Sequence, residues 1–466
     1  MWSSDISISA WFKTTENQRS PIVSIGRGSW TDGFELQVPS ANTVGFSFAE
    51  GSKFGYFNSS IDLNDGNWHH YVQVSNSSTA KFFIDGVEQT GITTGNGNSR
   101  QGSGVRIGRF FQTPEQWANG SIDQVRIYDR AITATEVETL YNEVACPSGA
   151  SFNTVLYTGN GSTQNVGSVE FQPDLVWAKG RSVAYSNVLT DSVRGAGAHS
   201  LFSNLTIAED TATSYLSSFN TDGFTLTSQN GLNQSGQTYV AWCWKAGGPA
   251  VENTDGSITS EVSANVDAGF SIVSYTGSAT INQTVGHGLS SKPDLIIVKN
   301  RSLSGESWAV YNSYNGADFH MLLNTTQEAK NNVDWIWNDT EPTNSVFTVG
   351  QFGLTNQSPN EFIAYCWHSV AGFSKFGSYT GNGSTNVITT GFEPAFVIIK
   401  AYTSADNWVM IDNKRGLDNR LYSDLSNAED ALANRITFDA NGFTLTTSAY
   451  NASGFGFIYM AFANQF

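Results

Sequence analysis

From Asp5 onward, apolar residues recur at every second position. Ile6, Ile8, Ala10 and Phe12 share one face of an extended segment, the period of a half-buried strand. Trp68, His70, Val72 and Val74 repeat that period, and the pattern runs on into Phe83-Ile84, where Asp85-Gly86 predicts a tight hairpin turn. Ile122, Val125, Ile127 and Tyr128 predict one more strand. A single short helix follows: Thr133 is its N-cap, Glu136 completes a capping box, and Val137, Leu140 and Tyr141 form its apolar stripe.

After a short linker (144–151) the chain repeats itself. "YTGNG" stands at 157–161 and 379–383, with "YTGSA" at 275–279 between them. Each copy leads to a hydrophobic strand ending in Lys, at 172–182, 292–302 and 393–404. "GFTLT" at 223–227 returns unchanged at 442–446, and "VFTVG" (346–350) is the middle version. Each copy closes on an aromatic strand: "YVAWCWKAGG" (239–248), "FIAYCWHSVAG" (362–372) and "FIYMAFANQF" (457–466). This predicts three modules, at 152–248, 269–372 and 373–466, each with enough short strands for a small β-sandwich. A polar linker (249–268) separates the first two, and "NAEDALANR" (427–435) is a candidate helical stretch. The array reads as beads arranged to reach.

Composition narrows the choices. The 466 residues include 13% aromatic side chains and 45 Gly, as expected of an all-β protein with many turns and unlike a disordered chain. Lys and Arg number 24 against 41 Asp and Glu, a net charge of −17. That balance disfavours nucleic acid and anionic membranes as partners. No apolar run is long enough to predict membrane insertion, and "MWSSDISISAWF" lacks the basic and apolar regions of a secretion signal. Cys146, Cys243 and Cys366 have neither disulfide-framework nor zinc-site spacing.

The pieces "DISISAWFKT" (5–14), "GNWHHYVQV" (66–74), "FIDGV" (83–87), "VRIGR" (105–109) and "GSIDQVRIYDRAITATEVETLYN" (120–142) resemble a laminin-G-like domain of the concanavalin-like jelly-roll group. The resemblance implies a two-sheet sandwich over 1–143. Such domains usually open with one more strand. Only Met1–Ser4 precede "DISISAW", so either the chain is cut from a longer protein or the open edge beside the C-terminal strand is covered by another segment or subunit, which makes it a candidate inter-subunit contact. The pattern "YTGNGS…PDLVWAKGRS…GFTLT…YVAWCWKAGG" is similar to uncharacterised modules of tailed-bacteriophage virion proteins, which implies a virion appendage or decoration.

Candidate chemistry is sparse. The E-x-D-x-x-E strand of concanavalin-like glycoside hydrolases and the G-x-S-x-G elbow are both missing, so the chain is not expected to be an enzyme. Cys243, Cys366 and Ala461 occupy one repeat position and read as core, while His69 and His70 point to opposite sides of a strand. No cofactor is expected, although the laminin-G resemblance implies a rim that often holds Ca²⁺ in such domains, for which Asp32 and Asn119 are candidate oxygens. Sugar binding needs exposed aromatic platforms beside polar groups. Trp30 and Trp117, beside Asp32 and Asn119, are candidates, as are Trp335 and Trp337 on one face of "DWIWND" (334–339), in a segment that carries about five residues beyond those of the other repeats.

The expected protein is a non-enzymatic phage virion component, a fibre, spike or decoration located on the particle surface. Its partners would be other virion proteins, a host-surface glycan and copies of itself, as a homotrimer. The alternatives are a secreted bacterial adhesin or polysaccharide-binding module and a glycan depolymerase.

Overall fold

A computed structural model describes residues 5–16, 20–26, 33–40, 43–48, 53–58, 63–75, 80–89, 105–109, 117–143, 151–331 and 335–463. Trp30, Asp32 and Cys146 lie outside these residues, as does most of the expected 144–151 linker. The chain forms two compact units, Met1–Val144 and Ala145–Phe466.

The first unit pairs two antiparallel five-stranded sheets, the sandwich that the laminin-G resemblance implies. Ile6, Ile8, Ala10 and Phe12 pack inward against Ile22, Val23 and Leu36, as their period of two requires. The hairpin forms with Ile84 opposite Val87, and Asp85 and Gly86 both take positive φ (50° and 77°). The helix spans Ala134–Glu143. Its capping box is closed by Glu136 N–H donating to Thr133 Oγ1 (3.2 Å) and Thr133 N–H to Glu136 Oε2 (2.7 Å). Val137 and Leu140 cover the outer face of the sheet at Val72, Val74 and Phe83. Strand Ile6–Lys13 is interior, paired with Trp68–Ser75 on one side and Ser121–Tyr128 on the other. Ser121–Tyr128 is the outer strand of that sheet among the described residues.

In the second unit each repeat has a large and a small antiparallel sheet. The repeated motifs close turns. In "YTG", a Cβ at Gly159, Gly277 or Gly381 would come within 2.3, 2.5 or 2.2 Å of a backbone oxygen in a facing loop. That loop is pinned by a buried amide, Asn233, Asn356 or Asn451, whose Oδ1 accepts the N–H of Asn160, Ser278 or Asn382. In "GFTLT", Gly223 and Gly442 have positive φ, and a Cβ would sit 2.0 Å from Val166 O or Ile388 O. Two expectations fail here. The polar segment 249–268 is not a linker: Val251–Asn253 and Ser260–Asn265 pair into a hairpin that extends the large sheet of the second repeat. Residues 427–435 are not helical, because Glu429 is drawn into cross-repeat contacts.

The repeats are also not beads. Along each closing strand, alternate residues face two different cores. Tyr239, Ala241 and Cys243 enter the first repeat's own sandwich, whereas Val240, Trp242 and Trp244 join a core shared by all three repeats. Ile363, Tyr365 and Trp367 do the same from the second, and Ile458, Met460 and Phe462 from the third. A buried aromatic ring removes roughly 150–250 Å² from water, about 4–6 kcal/mol each. An isolated repeat would expose that whole face.

The contacts run in a cycle, each repeat's loop docking on the next. Glu209 N–H donates to Arg301 O (2.8 Å), Ala329 N–H to Tyr402 O (2.9 Å), and Glu429 N–H to Arg181 O (2.7 Å). The lysines that end the hydrophobic strands, Lys179, Lys299 and Lys400, are fully buried at these boundaries, and burial lowers each to about 8. Lys179 Nζ donates to Ser426 O (2.7 Å) and Lys400 Nζ to Thr326 O (2.9 Å), both across a boundary.

Candidate functional site

On the first unit, Trp117 lies beside "VRIGR". It bridges Arg109 in antiparallel register, and Ala118 N–H donates to Gly108 O (2.8 Å). The guanidinium carbon of Arg109 lies 4.5 Å from the Trp117 ring centroid, a cation–π contact, while Trp117 stays 61% exposed. Asn119 is exposed. Its backbone is engaged, its carbonyl accepting from Thr14 Oγ1 (2.6 Å) and its N–H donating to Ser20 Oγ (3.4 Å). Trp117 and Asn119 therefore share one rim; Trp30 and Asp32 are outside the described residues. Among the described residues, no group of three or more His, Cys, Asp or Glu is placed to hold a metal.

The two histidines have separate structural roles. His69 lies between Asp85 (2.8 Å) and Asp65 (3.3 Å), and its bond to Asp85 raises its pKa. His70 is buried in a cluster with the rings of Trp11 and Tyr141, which also stack on each other, and burial lowers it to about 4. Burial also raises both Cys243 and Cys366, so neither is a thiolate nucleophile.

On the second unit the expected pairing of Trp335 with Trp337 is incorrect. Residues 335–337 form a bend rather than an extended segment, and the chain turns on through Asn338 and Asp339 (φ 52° and 44°), so the two rings do not share the face that strand geometry would give them. Trp337 is 1% exposed, packed edge-on against Tyr311 in the second repeat's core. Trp335 is 55% exposed. Its partner is Phe352, 45% exposed, stacked at 4.8 Å with rings 11° apart. Sequence reading missed Phe352. The signal available was positional: counting back from the buried asparagines, Phe352 stands where the first repeat has Gln229 and the third Thr447. Asn338 donates to Asn282 Oδ1, adding a polar margin beside the pair.

Both places offer an exposed aromatic surface flanked by amides, an arrangement suited to the CH face of a sugar ring. The two differ in support: Arg109 backs Trp117, whereas a second aromatic ring backs Trp335.

A family model described as "Domain of unknown function (DUF7483)" matches residues 147–465. One described as "Concanavalin A-like lectin/glucanases superfamily" matches residues 1–138. No curated relative matches the chain by sequence. Among solved structures, a heptameric SAP-like pentraxin from Limulus polyphemus is 18% identical, with TM-score 0.26, covering 30% of this chain and 71% of its own. The Ruminococcus gnavus sialidase CBM40 bound to α2,3-sialyllactose is 16% identical, with TM-score 0.26, covering 30% and 84%. Domain 4 of AbnA, a GH43 extracellular arabinanase from Geobacillus stearothermophilus, in complex with arabinotriose, is 18% identical, with TM-score 0.25, covering 30% and 68%.

Proposed function

The chain belongs to the DUF7483 family, with a concanavalin-like unit ahead of that domain, and on this premise we propose that it is a non-enzymatic attachment protein of a phage virion that contacts a surface glycan. The observation that carries the reading is the pair of exposed aromatic stations, Trp117 on Arg109 and Trp335 on Phe352. Each would stack on a pyranose ring, with Asn119 or the Asn338–Asn282 pair supplying hydrogen bonds to hydroxyls. The virion setting is supported by the resemblance of the repeats to phage modules. Self-association beyond the single chain would use the outer strand Ser121–Tyr128.

The test is binding of the full chain to arrayed host-surface polysaccharides, beside Trp117→Ala and Trp335→Ala, with reducing-sugar release assayed in parallel. Glycan binding lost in either variant, without sugar release, supports the reading. Binding unchanged in both variants removes these stations, and sugar release would make the protein a depolymerase. Imaging of the particle that carries the chain separates a virion component from a secreted adhesin.

A further inference from the structure

The three boundaries between repeats are not equivalent. Where the third repeat meets the first, Trp242 Nε1 donates to Asp412 Oδ2 (3.0 Å), and Arg415 Nε donates to the same oxygen (2.6 Å). Where the first meets the second, Tyr365 Oη donates to Asp191 Oδ2 (2.7 Å), beside Arg194 (2.6 Å). An aromatic ring with one polar hydrogen thus reaches a buried acceptor at both. Where the second meets the third, the corresponding residues are Met460 and Asn312, with Asn315 at the arginine position. Met460 carries neither a ring nor a polar hydrogen.

A cleft lies at this third boundary. Met460 and Asn312 both line it, with Phe376, Ile398, Trp408 and Tyr314 among the other walls, and it opens in part to solvent. Asn312 is 6% exposed. Its Oδ1 accepts from Asn315 N–H (3.0 Å), and its Nδ2 reaches only the thioether of Met321, at 3.6 Å. A sulfur acceptor at that distance is a weak partner for a buried amide. The walls are mostly apolar; Asp294 and Ser313 also line the cleft but are bonded to each other, and Asp294 to Ser369 as well, whereas the Asn312 amide retains the capacity both to accept and to donate.

We propose that this cleft binds a small planar aromatic molecule bearing one hydroxyl or N–H group, of the phenol or indole class. Its ring takes the place that Trp242 and Tyr365 fill at the sister boundaries. Its polar hydrogen is donated to Asn312 Oδ1, and a phenolic oxygen also accepts from Asn312 Nδ2. Ring binding requires Tyr314, 56% exposed at the mouth, to adjust against Tyr402, whose ring centroid is 5.3 Å away.

The inference is independent of glycan attachment and is tested without it. Phenol, indole, toluene and cyclohexanol are titrated separately into the full chain, followed by tryptophan fluorescence and by ligand-observed NMR saturation transfer. Phenol and indole are expected to bind at least about fivefold more tightly than toluene, the worth of one net hydrogen bond. Cyclohexanol, which has the hydroxyl without the flat ring, is expected to bind more weakly than phenol. Met460→Trp, which supplies the missing ring from the chain itself, is expected to abolish phenol binding. Equal affinity for phenol and toluene, or no binding of either at millimolar concentration, overturns the proposal without recourse to any variant. Phenol binding undiminished in a folded Met460→Trp protein places the ligand elsewhere and overturns it as well.

Discussion

The boundary between the third and first repeats and that between the second and third perform the same task with opposite chemistry. At the former, Arg415 is fully buried. It donates to Asp412 Oδ2 (2.6 Å), Glu429 Oε2 (3.1 Å) and Met410 O (2.9 Å), and it lies over the Trp242 ring. Glu429 also holds Arg181 (2.9 Å). At the latter, the corresponding positions hold Asn312, Asn315, Ala329, Tyr402 and Met460, and the charges are gone together. The boundary between the first and second repeats keeps the charged set, with Arg194, Asp191, Glu209 and Arg301. A buried ion network is thus exchanged as a set, because one remaining member would be a charge without a partner in a low-dielectric interior.

The sharpest way to break the comparison is to remove one member. Arg415→Met leaves Asp412 buried with only Trp242 Nε1 and the Arg415-position N–H as donors, and it is expected to cost about 3–5 kcal/mol of stability in the second unit. Adding Asp412→Leu should recover most of that loss. Asn312→Leu, at the neutral boundary, should cost no more than about 1 kcal/mol, since its amide is poorly paired to begin with. Denaturant unfolding of the full chain, followed by tryptophan fluorescence, measures all three. Similar losses for Arg415→Met and Asn312→Leu would dissolve the distinction between the boundaries.

A second difference has the opposite sign. Trp308 N–H donates to Asn324 Oδ1 and Asn187 N–H to Asn204 Oδ1, but in the third repeat Trp408 N–H donates to Asp424 Oδ1 (3.1 Å). Asp424 is 7% exposed, and burial raises its carboxyl from 3.8 to about 6. The folded state therefore favours the neutral form. The cost of ionising it is absent below the unfolded value, grows as pH rises from 3.8 towards 6, and is complete above that. Asp424→Asn, the side chain its sister repeats use, should stabilise the unit by about 3 kcal/mol at pH 7 and by almost nothing near pH 4. Melting temperatures of the two proteins across that range give the result, and a pH-independent gain would refute the assignment.

Much of this was legible in the sequence, and its limits have physical causes. Period-two alternation, the Asp85-Gly86 turn and the Thr133–Glu136 box are local signals, and the structure forms each of them. Repetition marked the closing strands, and the small residues Cys243 and Cys366 read correctly as core. What alternation could not say is that the other face of the same strand, Trp242 and Trp244, is buried too. Both faces being apolar is the mark of a strand covered on both sides, and the covering elements lie more than a hundred residues away. The reading of 427–435 as helix followed local propensity, which Arg181 and Arg415 override by binding Glu429. Trp337 was misplaced because an extended segment was assumed where the chain turns. Phe352 was missed because its meaning lies in comparison with Gln229 and Thr447.

Between the charged boundaries, the aromatic donors allow a finer cut. Tyr365→Phe removes a donor from Asp191 and the long contact that Arg194 Nη2 donates to the hydroxyl (3.3 Å) while leaving the Arg194–Asp191 pair in place, and it is expected to cost about 1.5–3 kcal/mol, as for a bond to a charged acceptor. Met460→Leu keeps the volume at the neutral boundary and should stay under about 1.5 kcal/mol. The same unfolding assay compares the two. A larger loss for Met460→Leu would mean that packing, rather than the polar contact, distinguishes these positions.

The smallest effect isolates burial itself. Five residues beyond Arg415, Arg420 holds Asp430 with two bonds, Nε to Oδ1 at 2.7 Å and Nη2 to Oδ2 at 2.8 Å, where the Arg415 guanidinium reaches Asp412 through Nε alone. The residue types match the Asp412 pair and the Nε bonds are of similar length, 2.7 and 2.6 Å, yet Arg420 and Asp430 are 20% and 47% exposed at the side chain, against zero for Arg415 and Asp412. Water already solvates Asp430, so its attraction to Arg420 is screened, and its loss leaves no stranded charge. Asp430→Asn should therefore cost less than about 1 kcal/mol, and the difference should shrink further in high salt, whereas the Arg415→Met loss should persist. Unfolding both variants at low and high salt checks this. A comparable, salt-insensitive loss at Asp430 would mean that the Arg–Asp contact itself, rather than burial, makes the boundary pair strong.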